Sequence, residues 1–457
     1  MRTPKEVTPK SFNAARIAKI LCITLGCAYI ALWIALAYLR LVYPYEVEWM
    51  EGAMMDHVMR ILDGKPIYTA PTIDFVAWLY PPLYYYAVAA AMKVLGAGWF
   101  AARFVSIAST LLTASLLSLI TKRITANWLL AFFMFALYIA TYHATGFYFD
   151  IVRNDAFFVA LLVVMAYCAL TVRGMAGAVV TALLFILAFF TKQQAVFFLL
   201  PFVVWYWLRN RKAAILFTSI SVGLIVITLL VLNASTHGWL NYYLFKIPGA
   251  KRADFSWFRT LNVFPQYIFA AFTVCSLALV ALLAMGKNNW KEFFGSSTGL
   301  LAMMTFSSIA AGAMSLGNEG GYENVMMPFA AFVTPLLPIA MYKISEVRPE
   351  LRRFAFGALL FQFLAFYFNP LSEQMLIASP HQRSGGDQFM RALSGIPGDV
   401  FIPYHGYVTR QAGKAPHAHL LAMMDVFRMH DTTAARLQRD MDSAYARHQF
   451  AGIILEE

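Results

Sequence analysis

Long apolar stretches follow one another along the whole chain, separated by short polar segments. This feature constrains the fold most, because about 20 consecutive apolar residues can cross the hydrocarbon core of a bilayer as a helix. Hydrophobic residues make up 60% of the 457 residues and charged residues only 13%. That composition excludes a soluble globular chain, and the length excludes a single-span protein. We therefore predict an all-α polytopic membrane protein.

About eleven stretches are predicted to span the membrane. The first follows a basic N-terminal segment and lacks a cleavage pattern, so it is interpreted as a retained helix. If the N-terminus is cytoplasmic, Lys and Arg clusters in alternate loops lie on the inner side, and the chain after the last span lies outside. The predicted spans are residues 17–42, 99–120, 128–147, 156–172, 175–191, 195–208, 213–232, 264–285, 298–316, 325–342 and 354–368.

The formal net charge of +12 is interpreted as a topology signal and not as a nucleic-acid surface, because the basic residues lie in short clusters between apolar stretches. The predicted localisation is a bacterial inner (plasma) membrane. The chain divides into a transmembrane module, residues 1–369, and a small C-terminal periplasmic α/β domain, residues 370–457.

Within the transmembrane module, residues 43–98 form the predicted first outer loop. Residues 51–62 show an amphipathic pattern, which predicts a short helix lying on the membrane. Residues 79–96 offer only about 14 residues after Pro82, too few for a comfortable crossing, and are predicted to form a juxtamembrane helix.

The C-terminal domain is predicted to contain two helices and two short strands. The helices lie near residues 386–393 and 433–448, and the strands at residues 400–403 and 452–455. His405, His417 and His419 are interpreted as solvated histidines, because their spacing matches no firm metal-ligand pattern.

Three carboxylates, Glu46, Glu48 and Glu51, lie at the outer end of the first span. One interpretation is a solvated helix end, since acidic residues favour the first turn of a helix. The functional interpretation is that one carboxylate takes a proton from an incoming hydroxyl while a neighbour orients a sugar or holds a metal ion. The sequence leaves both interpretations open.

A second charged cluster, Asp150, Arg153 and Asp155, lies between the third and fourth predicted spans, close to His143. An ion pair at a helix end explains part of it. Asp155 directly precedes an apolar run, where a carboxylate is costly unless it is paired or faces a polar cavity.

Basic residues also stand at span ends. Arg and Lys there either extend to lipid headgroups or stabilise the charge of a phosphate leaving group. They are Arg103, Lys192, Lys246, Lys251, Arg252 and Arg259.

The loop between the ninth and tenth predicted spans carries Glu319 and Asn324 around the Gly320-Gly321 pair. The glycines indicate a plain turn. The acid and the amide are also suited to binding sugar hydroxyls.

Taken together, these motifs resemble the GT-C superfamily of integral-membrane glycosyltransferases, which includes protein O-mannosyltransferases and lipid A aminoarabinose transferases. The order and spacing of the motifs carry the resemblance, which covers most of the membrane part. The motifs are the acids from Glu46 to Glu51, Tyr80-Pro-Pro-Leu-Tyr84, Ala101-Ala-Arg103-Phe-Val-Ser106, Arg153-Asn-Asp155, Thr191-Lys192-Gln193, and the late Gly-Gly turn with Asn324.

The resemblance implies a polyprenyl-phosphate sugar donor, transfer outside the cytoplasm, and a first-loop carboxylate as the catalytic base. Carried over, Glu48 or Glu51 is the base, with Glu48 preferred, and Lys192 and Arg103 face the donor phosphate. Relatives often show adjacent Asp-Glu where this chain has Glu-Val-Glu-Trp-Met-Glu, so the choice among the three glutamates stays open.

The complete set of predicted site residues falls into four groups. The catalytic group is Glu48, Glu51 and Asp155; the donor-phosphate group is Arg103, Lys192, Arg153, Lys251 and Arg252; the substrate group is Glu46, Tyr84, His143, Gln193, Glu319 and Asn324. The metal candidates are Glu48, Asp150 and Asp155, with Mg²⁺ or Mn²⁺ and a metal-free reaction as open alternatives.

The predicted function is an inverting transfer of a hexosyl or pentosyl unit from a polyprenyl phosphate to a lipid, glycan or protein. The alternative is a flippase for a polyprenyl-linked sugar or another transporter. The sequence disfavours it because no internal repeat is visible and the unusual charges lie at span ends rather than at midplane. A non-catalytic scaffold in envelope assembly is the third hypothesis.

Overall fold

Apolar helices dominate the fold, as the sequence predicts. The computed structural model describes residues 14–250, 255–318, 320–367 and 378–455. The helices of the transmembrane module are α1 (Ala14–Leu41), α2 (Glu51–Leu62), α3 (Leu83–Leu95), α4 (Trp99–Thr125), α5 (Trp128–Ala140), α6 (Asn154–Thr171), α7 (Gly174–Thr191), α8 (Leu199–Arg209), α9 (Arg211–Ser235), α10 (Trp239–Asn241), α11 (Ile247–Ala250), α12 (Phe264–Ala271), α13 (Thr273–Gly286), α14 (Trp290–Gly295), α15 (Ser297–Gly317), α16 (Met327–Val333), α17 (Leu336–Val347) and α18 (Arg352–Tyr367).

Short helical turns of other types connect several of these helices. The 3₁₀ turns are Gln193–Phe198, Glu323–Met326 and Pro349–Leu351, and the π-helical turns are Tyr242–Lys246 and Arg259–Val263.

In the described part of the chain, seven helical segments are long and apolar enough to cross a membrane, or eight if one bent pair counts as a span. One of the seven is the run Glu323–Val347, which joins a 3₁₀ turn to α16 and α17. The prediction of an all-α polytopic membrane protein is thus confirmed. Two further predicted spans correspond to the shorter apolar helices α5 and α18, and the count of eleven remains a prediction.

The eighth predicted span, residues 264–285, is not one straight helix. Its two halves meet at an angle of 92°, at Phe272, which has non-helical backbone angles. Gln362 of α18 supplies hydrogen bonds at the break: its Oε1 accepts from the amides of Val274 and Cys275, and its Nε2 donates to the Ala271 carbonyl. A buried amide side chain therefore satisfies backbone groups that the bend frees from the helix.

The two helices of the first outer loop form at the predicted places, and the apolar face of α2 packs against protein. Most of its residues, including Glu51, Met54, His57 and Val58, are buried. They pack against α3 and against a short helix of the C-terminal domain. The amphipathic pattern was correct, and the apolar face meets protein rather than lipid.

The C-terminal domain has the two predicted helices and two predicted strands with shifted ends, and two short helices that were not predicted. Its elements are α19 (Pro380–Gly395), β1 (Val400–Phe401), α20 (Gly406–Gln411), α21 (Leu420–Phe427), α22 (Thr432–Ala446) and β2 (Gly452–Ile453), of which α20 and α21 are the unpredicted helices. The two strands are parallel, with Val400 opposite Gly452. Parallel strands need a long crossover, and α20 to α22 provide it.

The C-terminal domain packs onto the first outer loop. Asp440 accepts a hydrogen bond from the Ile73 amide at 2.8 Å, and the Ala418 amide donates to the Ile73 carbonyl at 2.8 Å. Arg410 and Asp63 form a two-pronged ion pair with both N–O distances at 2.8 Å. The two regions share one apolar core, so this domain determines the environment of the loop.

Candidate active site

The charged motifs of the sequence converge where α1 ends, α6 begins and α7 ends. Arg153 precedes α6 in an extended conformation, Asp155 lies in the first turn of α6, and Lys192 follows the last residue of α7. The Asn154 side chain donates to the Thr191 carbonyl at 3.2 Å and joins the two helix ends. An acid in the first turn of a helix is electrostatically favoured, which helps to hold Asp155 there.

A continuous run of contacts, here called the Glu48–Lys192 network, links the first loop to these helix ends. Lys192 Nζ lies 2.6 Å from Asp155 Oδ1, and Asn324 Nδ2 donates to the same oxygen at 3.0 Å. Arg153 bridges the two acids: its Nε is 3.8 Å from Asp155 Oδ2, and its NH1 is 3.3 Å from Glu48 Oε2. Glu48, Asp155 and Lys192 thus share one environment on one side of the helix bundle.

The network retains unused hydrogen-bonding capacity. Four of its buried atoms have no hydrogen-bond partner among the described residues: Arg153 Nε, Asn154 Oδ1, Asp155 Oδ2 and Asn324 Oδ1. Buried polar atoms are normally paired with protein or water. A concentration of open donors and acceptors around a cation-carboxylate pair is suited to a polar, charged ligand.

Glu51 and Arg103 form a neighbouring ion pair that has no such capacity. Arg103 uses all five of its N–H donors, two on Glu51 and three on the carbonyls of Arg40, Tyr43 and Tyr45. Glu51 accepts two hydrogen bonds from Arg103 and one each from the Val47 and Val152 amides. Both side chains are completely buried. This pair therefore anchors the first loop to α1 and α4, which differs from the predicted roles of Glu51 as base and Arg103 as phosphate ligand.

The environments of Glu48 and Glu51 differ accordingly. Burial raises the pKa of Glu48 although Arg153 opposes the shift. Burial also disfavours the charged form of Glu51, but Arg103 outweighs it and holds the pKa of Glu51 below its usual value. A proton acceptor near neutral pH benefits from a raised pKa, which favours Glu48 over Glu51.

Asp150 also lies in a buried ion pair. Arg40 NH1 contacts its Oδ1 at 2.7 Å, and the Tyr142 hydroxyl donates to the same carboxylate. The three metal candidates, Glu48, Asp150 and Asp155, each face a cation, and no three His, Cys, Asp or Glu side chains of the described ranges are grouped to hold a metal ion. These residues do not fit a shared metal site, and we derive no step that uses one.

Glu46 faces the C-terminal domain. Its Oε2 forms a close ion pair with His405 Nδ1, and burial raises the pKa of Glu46 to about 7. The three glutamates of the first loop thus have three different partners: His405 for Glu46, Arg153 for Glu48 and Arg103 for Glu51.

No family model and no curated protein matches this sequence. Solved structures do match. ArnT from Cupriavidus metallidurans bound to undecaprenyl phosphate aligns with a TM-score of 0.58 at 12% identity, over 86% of this chain and 85% of that one. ArnT and the oligosaccharyltransferase AglB are both GT-C proteins. The chain has the GT-C fold.

A more distant GT-C structure shows the same likeness. AglB from Archaeoglobus fulgidus, in complex with an inhibitory peptide and a dolichol-phosphate, aligns with a TM-score of 0.53 at 11% identity. The match covers 90% of this chain but 64% of AglB, so the chain spans less than two thirds of that protein. These likenesses concern the fold, to which the sequence resemblance also pointed.

The remaining predicted site residues of this chain have separate positions. Gln193 donates to the Leu79 carbonyl at 2.7 Å, which holds the loop before α3 next to Lys192. Tyr84 is buried against Phe157, and the His143 ring packs on Phe147. Lys251, Arg252 and Glu319 lie outside the described residues.

Two partners in this region were not predicted from sequence. Arg40, in the last turn of α1, was included in the first span, yet an arginine within an apolar helix is itself a signal of a buried partner. His405, His417 and His419 were all predicted to be solvated. In the structure, His417 and His419 are each only 4% exposed. That interpretation of the last two was wrong, because the C-terminal domain buries them against the first loop.

Proposed function

We propose that this protein is a membrane glycosyltransferase that moves one sugar from a polyprenyl-phosphate carrier to an acceptor outside the cytoplasm. The fold supports a lipid-phosphate donor, since ArnT was solved with undecaprenyl phosphate and AglB with a dolichol-phosphate. The single observation that carries the proposal is the Glu48–Lys192 network, which joins a carboxylate with raised pKa to two cations and leaves buried polar atoms open.

Lys192 and Arg153 are the proposed phosphate ligands. The described residues give the Lys192 ammonium one hydrogen bond, to Asp155, and an ammonium has three donors. Arg153 Nε lies 3.8 Å from Asp155 Oδ2 and has no hydrogen-bond partner among the described residues. As the bond between sugar and phosphate breaks, negative charge grows on the phosphate. Cations fixed beside it stabilise the transition state more than the ground state. Asp155 and Asn324 orient Lys192 for this role.

Glu48 is the proposed general base. Its contacts with Arg153 are 3.3 Å long, which is beyond the usual range for this kind of hydrogen bond, so its carboxylate keeps room for an acceptor hydroxyl or amine. Glu48 takes the proton, the acceptor attacks the anomeric carbon opposite the phosphate, and the phosphate leaves with the bonding electrons. A single displacement of this kind inverts the anomeric centre. Glu51 is excluded as base because its four hydrogen bonds occupy its lone pairs.

The proposed location is a bacterial inner membrane with the network open to the periplasmic side. The acceptor is a lipid, a glycan or a protein, and the lipid bilayer supplies the donor. The network lies at the end of α1, the start of α6 and the end of α7. In the topology predicted from the Lys and Arg clusters, all three helix ends are on the outer side of the membrane.

The test uses purified protein in nanodiscs and a panel of undecaprenyl phosphates that each carry one radiolabelled hexose or pentose. We expect release or transfer of the sugar by the wild type and none by Glu48→Gln, with binding of undecaprenyl phosphate retained. Glu292→Gln, an exposed carboxylate of α14, is the matched control and should transfer normally. In vesicles, movement of intact donor between leaflets without sugar release would instead support a flippase.

A further inference from the structure

A second polar cavity lies between the first outer loop and the C-terminal domain. Its volume is about 80 Å³, and it is lined by α2, by the segment that leads from α2 to Trp78, and by residues 410–419. The residues of the Glu48–Lys192 network do not line it. It is therefore distinct from the proposed catalytic centre.

Buried polar atoms without partners line this cavity too. Among the described residues, they are Trp78 Nε1, His417 Nε2, His419 Nε2 and Asp56 Oδ1. Trp78 is 7% exposed and His417 is 4% exposed. His417 is fixed by its other ring nitrogen, which contacts Asp74 Oδ1 at 3.0 Å. The lining residues thus carry an N–H donor, a carboxyl oxygen and two imidazole nitrogens that need a partner when buried.

The formal charges of the lining residues cancel. Three acids and three bases line the cavity: Asp56, Asp63 and Asp74, with Arg60, Lys65 and Arg410. Arg410 is paired with Asp63, and Arg60 lies over the Phe75 ring. A phosphate would need an excess of positive charge and a metal ion an excess of negative charge. Balanced charge with mixed donors and acceptors beside aromatic rings suits a neutral ligand with hydroxyl groups, each of which both donates and accepts.

The size sets how much of such a ligand can enter. A volume of 80 Å³ is that of about two or three water molecules. The cavity therefore accommodates the hydroxylated edge of one sugar ring and not a whole oligosaccharide.

The cavity and the network lie on two sides of one short segment. Trp78 lines the cavity, and the carbonyl of the next residue, Leu79, accepts the hydrogen bond from Gln193, which follows Lys192 in the chain. The rings of Trp49 and His419 pack at 5.8 Å and connect the loop that carries Glu48 to the cavity wall. A ligand held in the cavity would thus extend past residues that border the network.

We propose that this cavity binds a neutral sugar unit of the acceptor, so that the acceptor is a glycan or carries one. The assignment rests on the proposed function, since an acceptor exists only if the protein transfers a sugar. It gives the C-terminal domain a role in selecting the acceptor, because that domain supplies His417 and one third of the residues that line the cavity.

The test is saturation-transfer NMR on the full-length protein in nanodiscs, with methyl glycosides of neutral hexoses and N-acetylhexosamines as probes. Trp78→Phe keeps the aromatic ring and removes the N–H donor, and Asp56→Asn keeps the shape and removes the carboxylate. We expect at least one glycoside to bind, and each variant to bind it about tenfold more weakly. Trp33→Phe is the matched control, because Trp33 is equally buried with an unpartnered Nε1 but lies in α1, outside the cavity. It should bind as the wild type does.

The proposal is overturned if none of the glycosides binds, or if both cavity variants bind as tightly as the wild type. Undecaprenyl phosphate binding by Lys192→Met separates this failure from that of the proposed function. If that binding is unchanged while Trp78→Phe loses the glycoside, the cavity binds a sugar, but the transferase proposal falls and the assignment of that sugar to an acceptor falls with it. If that binding is lost while Trp78→Phe and Asp56→Asn keep the glycoside, the cavity proposal alone is overturned.

Discussion

The Glu51–Arg103 pair and the Asp155–Lys192 pair are both ion pairs. They differ in how fully the hydrogen-bonding groups in and around them are used. Both are buried ion pairs at helix ends, with N–O distances of 2.7 Å and 2.6 Å. In the first, every donor of the arginine is used by the fold. In the second, neighbouring polar atoms remain unpaired. Hydrogen-bond completeness, rather than burial or charge, separates the pair that anchors the structure from the pair that we propose binds a ligand.

Loss of the complete pair should have the largest effect. Arg103→Met leaves the Glu51 carboxylate buried without its counter-ion, which costs about 3–5 kcal/mol of stability. We expect a large drop in the detergent-solubilised melting temperature and a low yield of folded protein. Arg123→Met, at the other end of α4 with an exposed side chain, is the control and should melt near the wild type. If Arg103→Met folds normally and loses only activity, the anchoring role is wrong.

Loss of the incomplete pair should instead affect turnover. Lys192→Met removes a proposed phosphate ligand and should lower sugar transfer by about 10²–10³-fold, the range for losing one group that stabilises transition-state charge. Stability should fall less than in Arg103→Met, because Asn324 and Arg153 still contact Asp155. Lys192→Arg retains the charge and should recover part of the activity. Equal losses of stability in the Lys192 and Arg103 variants would abolish the distinction between the two pairs.

Gln362 extends the comparison to an uncharged group. All three of its hydrogen bonds serve the bend between α12 and α13. Gln362→Leu orphans these backbone groups and should cost about 2 kcal/mol, seen as a lower melting temperature with transfer per folded molecule retained. Gln388→Leu, on exposed α19, should be neutral. A Gln362 variant as stable as the wild type would mean that water replaces the amide.

The smallest effect concerns pH and Glu46. Its pKa in the folded protein is about 7, above the usual value for glutamate. The stabilising contribution of this group is therefore present at low pH and is lost as pH rises through 7. Between pH 6 and pH 8 we expect the wild type to lose about 1 kcal/mol relative to Glu46→Gln, which does not titrate. Melting curves of both proteins across this range measure the difference, and parallel curves would contradict the assignment.

Sequence reasoning named several charged and polar residues that are far apart in the chain and that the structure brings together. Glu48, Arg153, Asp155, Lys192 and Asn324 were all named from charge at span ends, and the structure brings them into contact. The reason is physical: a charge next to an apolar run must find a partner or a polar cavity, so its presence alone indicates a site. What sequence does not reveal is which partner each charge takes. Arg103 and Lys192 are both basic residues at span ends, and the sequence does not distinguish them. Only the fold shows that all hydrogen-bond donors of Arg103 are used within the protein.

The order of apolar and polar segments determined the helical membrane fold, the positions of α2 and α3, and the outer helices and two strands of the C-terminal domain, because these depend on local periodicity and on span length. The short helices α20 and α21 were not predicted. The tertiary structure decided the rest. It bent the α12–α13 segment, turned the apolar face of α2 toward protein, buried His417 and His419, and gave three neighbouring glutamates three different partners. These outcomes depend on contacts between residues far apart in the chain, and neither periodicity nor spacing carries information about them.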